Sequence, residues 1–123
     1  MPIRSLIVDD NRSFLDAART LLEREGLIVA GVASTSADAL RQAATLRPDV
    51  ILVDVFLGQE SGLELTRRLV ENGQSEGAAV ILISSHSEAD LADLIAPSPA
   101  SGFLPKTELS ARAIRRIVDG LSA

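Results

Sequence analysis

The sequence contains no cysteine, tryptophan or tyrosine, and it has a single lysine, Lys106, and a single histidine, His86. Without cysteine the chain can form neither a disulfide framework nor a thiolate metal site, and a cytoplasmic location is the default expectation. The net charge of −5 and the aromatic content of 2% argue against a nucleic-acid-binding surface, which needs clustered positive charge or rings that stack on bases. Direct binding to nucleic acid is therefore not expected.

Long apolar segments are also missing. No run approaches the roughly 18 apolar residues that cross a bilayer, and the first ten residues lack the apolar stretch of a signal peptide. We therefore expect neither membrane association nor export. With 123 residues, of which 46% are hydrophobic, the chain can bury one core, so residues 1–123 are predicted to form a single domain.

Short apolar runs alternate with segments that repeat apolar residues at helical spacing, a pattern typical of a parallel sheet with crossover helices. The runs predict five strands, at residues 5–9, 27–33, 50–54, 79–84 and 102–104. The intervening segments predict five helices: one that ends at Gly26, three at residues 36–46, 63–70 and 88–95, and a last one that ends near Gly120. The sequence therefore predicts an α/β fold.

Right-handed crossovers wind such a chain into a doubly wound, flavodoxin-like (βα)5 fold, whose five parallel strands most often take the order 2-1-3-4-5. The first and third strands are then neighbours, so Asp9, Asp10 and Asp54 meet at the carboxyl edge of the sheet. Ser84 and Lys106 approach the same edge from the fourth and fifth strands. The candidate functional residues therefore converge on one edge of the sheet.

This combination of side chains predicts a particular chemistry. Three carboxylates at close range repel one another at neutral pH unless a cation or protons offset their charge. Oxygen ligands without imidazole or thiolate suit a hard ion, and an open site of this kind favours Mg²⁺ over Ca²⁺. A divalent cation, a lysine ammonium and a serine hydroxyl around one carboxylate are what phosphoryl transfer to that carboxylate requires. Asp54 is the best-placed nucleophile.

Four motifs resemble those of one family, the receiver domains of bacterial two-component response regulators, and the resemblance covers essentially the whole chain. They are VDDN at residues 8–11, LVDVFLGQESG at 52–62, ILISS at 81–85 and GFLPK at 102–106. The resemblance implies a chemotaxis-regulator-like domain that receives a phosphoryl group on Asp54 from a sensor histidine kinase or a histidine phosphotransfer protein. It implies no enzyme activity beyond the domain's own phosphorylation and dephosphorylation, and no output domain is expected in the chain.

The resemblance also implies roles for individual residues in the pocket. Asp10 is expected to bind Mg²⁺ directly and Asp9 through water, and Asp54 and the backbone carbonyl of Phe56 are also expected to hold the ion. Lys106 is expected to bind the phosphoryl group once it is attached to Asp54.

A conformational switch is implied as well. Ser84 is expected to donate its hydroxyl to the phosphoryl group, and its movement would let the ring of Phe103 turn inward. The surface of the fourth helix, fifth strand and fifth helix would then change, and a downstream protein would read it, with the domain acting as a monomer or a phosphorylation-dependent dimer. Phe56 and His86 flank the path of the hydrolytic water in this resemblance, so we expect them to tune the lifetime of the phosphate.

The sequence departs from the family pattern at three places. Gly58 stands where a proline is common, so a looser loop is expected. Pro105 precedes Lys106 and Thr107 follows it, which leaves the geometry of the Lys106–Thr107 bond open, because a cis bond without proline is costly. The segment Pro97-Ser98-Pro99 beside the fourth helix alters part of the expected output surface.

Each site residue also has a purely structural interpretation. Asp9 and Asp10 could begin a loop and cap a helix, and Ser84 could merely end a strand. Phe103 is most simply a core residue, and His86 a surface residue. The four motifs in this order favour the functional interpretation of the acids and the lysine.

Other functions fit the sequence less well. An aspartate-based phosphatase would need an acid at the position of Phe56, and a nucleotide hydrolase would show GxxxxGK[ST]. A flavin-binding protein of this topology would want stacking aromatics, yet tryptophan and tyrosine are absent. The remaining alternative is a degenerate receiver, which would act as a phosphorylation-independent protein interaction module.

Overall fold

The computed structural model describes residues 2–72 and 77–122. Its strands are β1 (Arg4–Val8), β2 (Ile28–Ala33), β3 (Val50–Asp54), β4 (Phe56–Leu57), β5 (Glu60–Ser61), β6 (Ala79–Ser84) and β7 (Gly102–Pro105). Its α-helices are α1 (Arg12–Arg24), α2 (Ser36–Leu46), α3 (Gly62–Glu71), α4 (Ala92–Ile95) and α5 (Ala111–Ser122), and a 3₁₀ turn covers Lys106–Glu108. Among these residues, no helix is long and apolar enough to span a membrane.

Five of the strands form one parallel sheet in the order β2-β1-β3-β6-β7. These are the five predicted strands, so the predicted order 2-1-3-4-5 and the flavodoxin-like fold are confirmed. Val8 of β1 pairs with Val53 of β3, and Asp54 pairs with Ile83 of β6. The residues that follow Val8 and Val53 therefore emerge side by side at the carboxyl edge of the sheet.

Helices cover both faces of the sheet, which explains why its strands are apolar throughout. Ile51 packs in a core that includes Leu65 of α3, and Leu52 packs in a second core that includes Leu22 of α1 and Ile114 of α5. Each fully buried side chain of this size contributes about 1.5–3 kcal/mol relative to an exposed one. The centre of the sheet is thus a rigid base for the polar residues at its edge.

Three helices begin at a polar residue that caps the first turn. The side chain of each cap accepts a hydrogen bond from the backbone N–H three residues later, which satisfies a donor that the helix leaves free. The pairs are Asn11 with Phe14, Thr35 with Asp38, and Ser61 with Glu64. The caps of α1 and α3 fix where the chain turns away from the carboxyl edge of the sheet.

The segment between Asp54 and α3 differs from the prediction, which placed only a glycine-bearing loop there. Residues 56–57 and 60–61 form an antiparallel hairpin, β4–β5, with a two-residue turn. Gly58 has a φ of +62° and Gln59 has no positive φ, the sign pattern of a type II′ turn. The connection is therefore a paired hairpin whose turn needs a φ that proline cannot adopt, and the looser loop stays a prediction.

The fourth helix is shorter than the sequence predicts, because α4 covers only Ala92–Ile95 of the predicted residues 88–95. The N–H of Leu91 donates to the carbonyl of Glu88, a bond that spans three residues, and α-helical bonding begins only at the carbonyl of Leu91. The other predicted strands and helices are confirmed, with ends that shift by one or two residues.

Candidate functional site

Three carboxylates converge at the carboxyl edge of the sheet, as the sequence predicts. Asp9 and Asp10 follow β1 and Asp54 ends β3, and one oxygen from each lies within 4.8 Å of the others. Asp9 and Asp54 are only 0% and 6% exposed, whereas Asp10 is exposed. Negative charge is therefore concentrated in a pocket whose base is buried and whose rim is exposed.

Lys106 enters this pocket from the 3₁₀ turn that follows β7. Its Nζ lies 2.6 Å from Asp9 Oδ2 and 3.2 Å from Asp54 Oδ2, and its side chain is 15% exposed. The prediction that Lys106 approaches the acids is confirmed. The pocket thus contains one ammonium and three carboxylates, so its side chains carry a net negative charge when all are ionised.

The electrostatics of the pocket shift two pKa values. Burial, together with the charge of Asp9, raises the pKa of Asp54 above its usual value, although the nearby Lys106 works in the opposite direction. Burial alone would lower the pKa of the Lys106 ammonium, but its contacts with Asp9 and Asp54 raise it. Lys106 is therefore charged at neutral pH, and the Asp54 carboxylate is costly to ionise without a further positive charge.

The donor set fits a hard divalent cation. Asp9 Oδ2 is buried and accepts no hydrogen bond of normal geometry from the described residues, among which its charged partner is the Lys106 ammonium. The cluster offers carboxylate oxygens and neither imidazole nor thiolate, which suits Mg²⁺. Gly58 leaves room beside Asp10, because a Cβ there would lie 3.2 Å from Asp10 Oδ2. The residues present therefore fit the predicted metal.

The Asp54 carboxylate is held at both oxygens. Oδ1 accepts a hydrogen bond of 3.2 Å from the backbone N–H of Phe56, and Oδ2 accepts one of 3.2 Å from Lys106. The backbone of Asp54 is fixed by Gly62 at the start of α3, where a Cβ would lie only 1.7 Å from the Asp54 carbonyl oxygen. Sequence reasoning missed this role of Gly62, whose only signal was a glycine directly before the predicted helix at residues 63–70.

Ser84 lies at the carboxyl end of β6, as predicted, but its buried hydroxyl contacts His86 and not Asp54. Ser84 Oγ accepts a hydrogen bond of 3.1 Å from the backbone N–H of His86 and lies 3.3 Å from His86 Nδ1. The His86 ring meets the 47% exposed ring of Phe56 edge to face, with centroids 5.3 Å apart. The two predicted lifetime residues are therefore in contact with each other at the pocket rim.

Phe103 lies on β7 within the core that also contains Leu82, the residue that it pairs with on β6. This position agrees with the structural interpretation of Phe103, and its switching role stays a prediction. The described residues contain no cis peptide bond, so the Lys106–Thr107 bond is trans.

One neighbour of Lys106 was not predicted as a site residue. The Lys106 Nζ lies 4.3 Å from the centroid of the Phe14 ring, a cation–π contact. Phe14 recurs with the other apolar residues of α1 at helical spacing, and such periodicity indicates which face a residue occupies but not which charge lies against it.

Known proteins share the sequence pattern of this chain. A family profile described as "Response regulator receiver domain" matches residues 5–119. The chain belongs to this family. The resemblance seen in the four motifs is therefore confirmed, and the chain is a receiver domain of the response-regulator type.

Individual receiver proteins show how far the similarity extends. Response regulator GacA of Pseudomonas aeruginosa is 32% identical over 126 residues, which cover 96% of this chain and 56% of that protein. Response regulator UvrY of Escherichia coli is 31% identical over 105 residues, which cover 85% of this chain and 47% of that protein. The chain thus spans about half the length of these relatives. The crystal structure of a LuxR-family two-component response regulator from Aurantimonas sp. SI85-9A1 superposes with a TM-score of 0.83 at 28% identity, covering 98% of this chain and 87% of that one.

Proposed function

We propose that this receiver domain accepts a phosphoryl group on Asp54 in a Mg²⁺-dependent reaction, and that residues 1–123 act as a single receiver unit. The supporting observation is that the Asp54 carboxylate belongs to an acidic cluster that fits a divalent cation and also contacts the only lysine of the chain. The phosphoryl donor is a sensor histidine kinase or a histidine phosphotransfer protein.

In this reaction each group of the pocket has a separate role. Asp9, Asp10, Asp54 and the backbone carbonyl of Phe56 would hold the ion, which supplies charge neutralisation at the phosphoryl oxygens. An Asp54 oxygen forms a bond to phosphorus as the phosphorus–nitrogen bond of the donor phosphohistidine breaks, and the departing imidazole keeps the electron pair and takes up a proton. Lys106 exchanges part of its contact with the carboxylates for contact with the phosphoryl oxygens.

Ser84 is the proposed switch. A phosphoryl group brings a charge of about −1.5 to −2 and new acceptor oxygens to Asp54, so the Ser84 hydroxyl would leave His86 and donate to it. Ser84 pairs with Pro105, so a shift at the end of β6 would be passed to β7. Phe103, two residues earlier on β7, would follow by packing alone, since its ring carries no hydroxyl. The surface of α4, β7 and α5 would then change, and a downstream protein would bind it.

The contact between Phe56 and His86 supports the proposal that this pair tunes the lifetime of the phosphate. Phe56 follows the phosphoacceptor by two residues, and the His86 ring packs against its ring beside the Ser84 hydroxyl. In this proposal the paired rings would narrow one approach to Asp54 and so slow the entry of the water that hydrolyses the acyl phosphate.

Intact-mass measurement tests the proposal. The protein is incubated with Mg²⁺ and acetyl phosphate, and the wild type is compared with Asp54→Asn, which keeps the size of the side chain but lacks the nucleophile. We expect a phosphate-sized gain in the wild type alone, and we expect EDTA to abolish it. A gain of equal size in Asp54→Asn would place the phosphoryl group on another residue. No gain in either protein would favour the degenerate receiver.

A further inference from the structure

The Lys106 ammonium has three close neighbours among the described residues, and one of them carries no charge. Asp9 Oδ2 and Asp54 Oδ2 lie 2.6 and 3.2 Å from Nζ, and the Phe14 ring lies against it at 4.3 Å from the centroid. The negative face of an aromatic ring attracts a cation most strongly where water is scarce, as it is around a lysine side chain that is 15% exposed. The ring therefore stabilises the charged ammonium at this place.

The ring and one of the acids belong to the same rigid turn. The backbone N–H of Asn11 donates to Asp9 Oδ1 at 2.9 Å, and the side-chain oxygen of Asn11 accepts from the backbone N–H of Phe14 at 3.1 Å. Asn11 thus fixes the carboxylate of Asp9 and the first turn of α1 relative to each other. Lys106 lies between two groups whose separation is set by hydrogen bonds within six residues of chain.

We propose that Phe14 is a positioning residue for phosphoryl transfer, whose ring holds the Lys106 ammonium beside Asp54. This inference rests on the proposed phosphorylation of Asp54. An oxygen in the place of the ring would compete with the phosphoryl group for the N–H donors of Lys106, because an ammonium has three donors and two carboxylates already lie beside it. The aromatic face orients the ammonium without adding a third oxygen acceptor.

Phe14 also packs against the core that contains Leu22 and Ile114, so its replacement must separate packing from the effect on Lys106. Phe14→Leu keeps an apolar side chain in this half-buried position but removes the ring. Phe14→Tyr keeps the ring. Ile117→Ala is the matched control, since Ile117 packs against the same core and lies over Gly102 on β7, away from the acids. If Phe14 had a purely structural role, the phosphorylation rates of these variants would follow their free energies of unfolding.

The contact itself is tested by NMR of protein labelled with ¹³C-lysine, which gives a single set of lysine signals because Lys106 is the only lysine. We expect ring-current shifts to move the ε-methylene protons upfield in the wild type and in Phe14→Tyr. In Phe14→Leu these protons should return toward the position of an exposed lysine. Equal shifts in all three proteins would overturn the contact, whether or not Asp54 is phosphorylated.

The role in the reaction is tested by the rate constant for phosphorylation by acetyl phosphate with saturating Mg²⁺. We expect Phe14→Leu to lower this rate constant by about threefold to tenfold, the range that corresponds to one cation–π contact. Phe14→Tyr and Ile117→Ala should retain the wild-type rate constant within about twofold, which is less than the smallest loss expected for Phe14→Leu. A wild-type rate in Phe14→Leu, or an equal loss in Phe14→Tyr, would overturn the inference while leaving the proposed function intact. If the wild type gains no phosphate, the proposed function fails and the inference falls with it.

Discussion

Gly62 offers a sharp test of how the fold presents the phosphoacceptor. A Cβ at Gly62 would lie 1.7 Å from the carbonyl oxygen of Asp54, well inside the 3.0 Å that real Cβ contacts respect. The obstacle is backbone rather than a flexible side chain, so either β3 or the start of α3 must move. The backbone N–H of Gly62 also donates to the carbonyl of Val55 at 3.0 Å, and the same movement would strain this bond.

We therefore expect Gly62→Ala to lower the free energy of unfolding by about 2 kcal/mol or more, as overpacking in a rigid interior does. Urea denaturation of the wild type and variant measures this difference. Gly120→Ala is the control, because nothing lies within 4 Å of its added Cβ, and alanine in a helix interior should stabilise α5 by about 0.5–1 kcal/mol. A Gly62→Ala protein as stable as the wild type would refute the claim that this close approach fixes the Asp54 backbone.

Three further predictions follow from the pocket. Burial raises the pKa of Asp54 in the folded protein above its value in the unfolded chain. The free energy of unfolding therefore falls as the pH rises from the usual aspartate pKa to the raised pKa. Asp54→Asn should thus gain about 1 kcal/mol of stability at about pH 7 without metal, and lose that advantage at about pH 4, in urea titrations; a gain independent of pH would contradict this cause. Mg²⁺ at a hundredfold excess over its Kd should stabilise the wild type by about 2.7 kcal/mol in thermal denaturation, and Asp10→Asn should reduce this effect strongly. Phe56→Ala and His86→Ala should each shorten the lifetime of the phosphorylated protein severalfold, and unchanged lifetimes would discard the role of this pair.

The fold and the acidic cluster are predictable from sequence for a simple physical reason. A parallel strand buried on both faces must be apolar along its whole length, so runs such as residues 50–54 stand out from the helical segments around them. The right-handed crossover then leaves few possible strand orders, and the order places Asp9 beside Asp54. Lys106 follows from the same logic, because it comes directly after the last strand.

The details that the sequence did not predict depend on short segments and on side-chain conformations. Strands of two residues, such as Phe56–Leu57, are too short for any periodicity to reveal. The contact of Ser84 with His86 depends on a hydroxyl rotamer, and the contact of Lys106 with Phe14 depends on how a long side chain crosses the pocket. The pattern of apolar residues along the chain predicts neither of these side-chain conformations.

The most direct test of the central claim is to locate the phosphoryl group. The protein is phosphorylated with acetyl phosphate and Mg²⁺ and treated with borohydride, which reduces an aspartyl phosphate to homoserine, and the modified residue is identified by peptide sequencing in a mass spectrometer. Cleavage at arginine places Asp49 and Asp54 in the same peptide, so Asp49 serves as an internal control. The account predicts homoserine at residue 54 and aspartate at residue 49. Homoserine at residue 9, 10 or 49, with residue 54 unmodified, would contradict it.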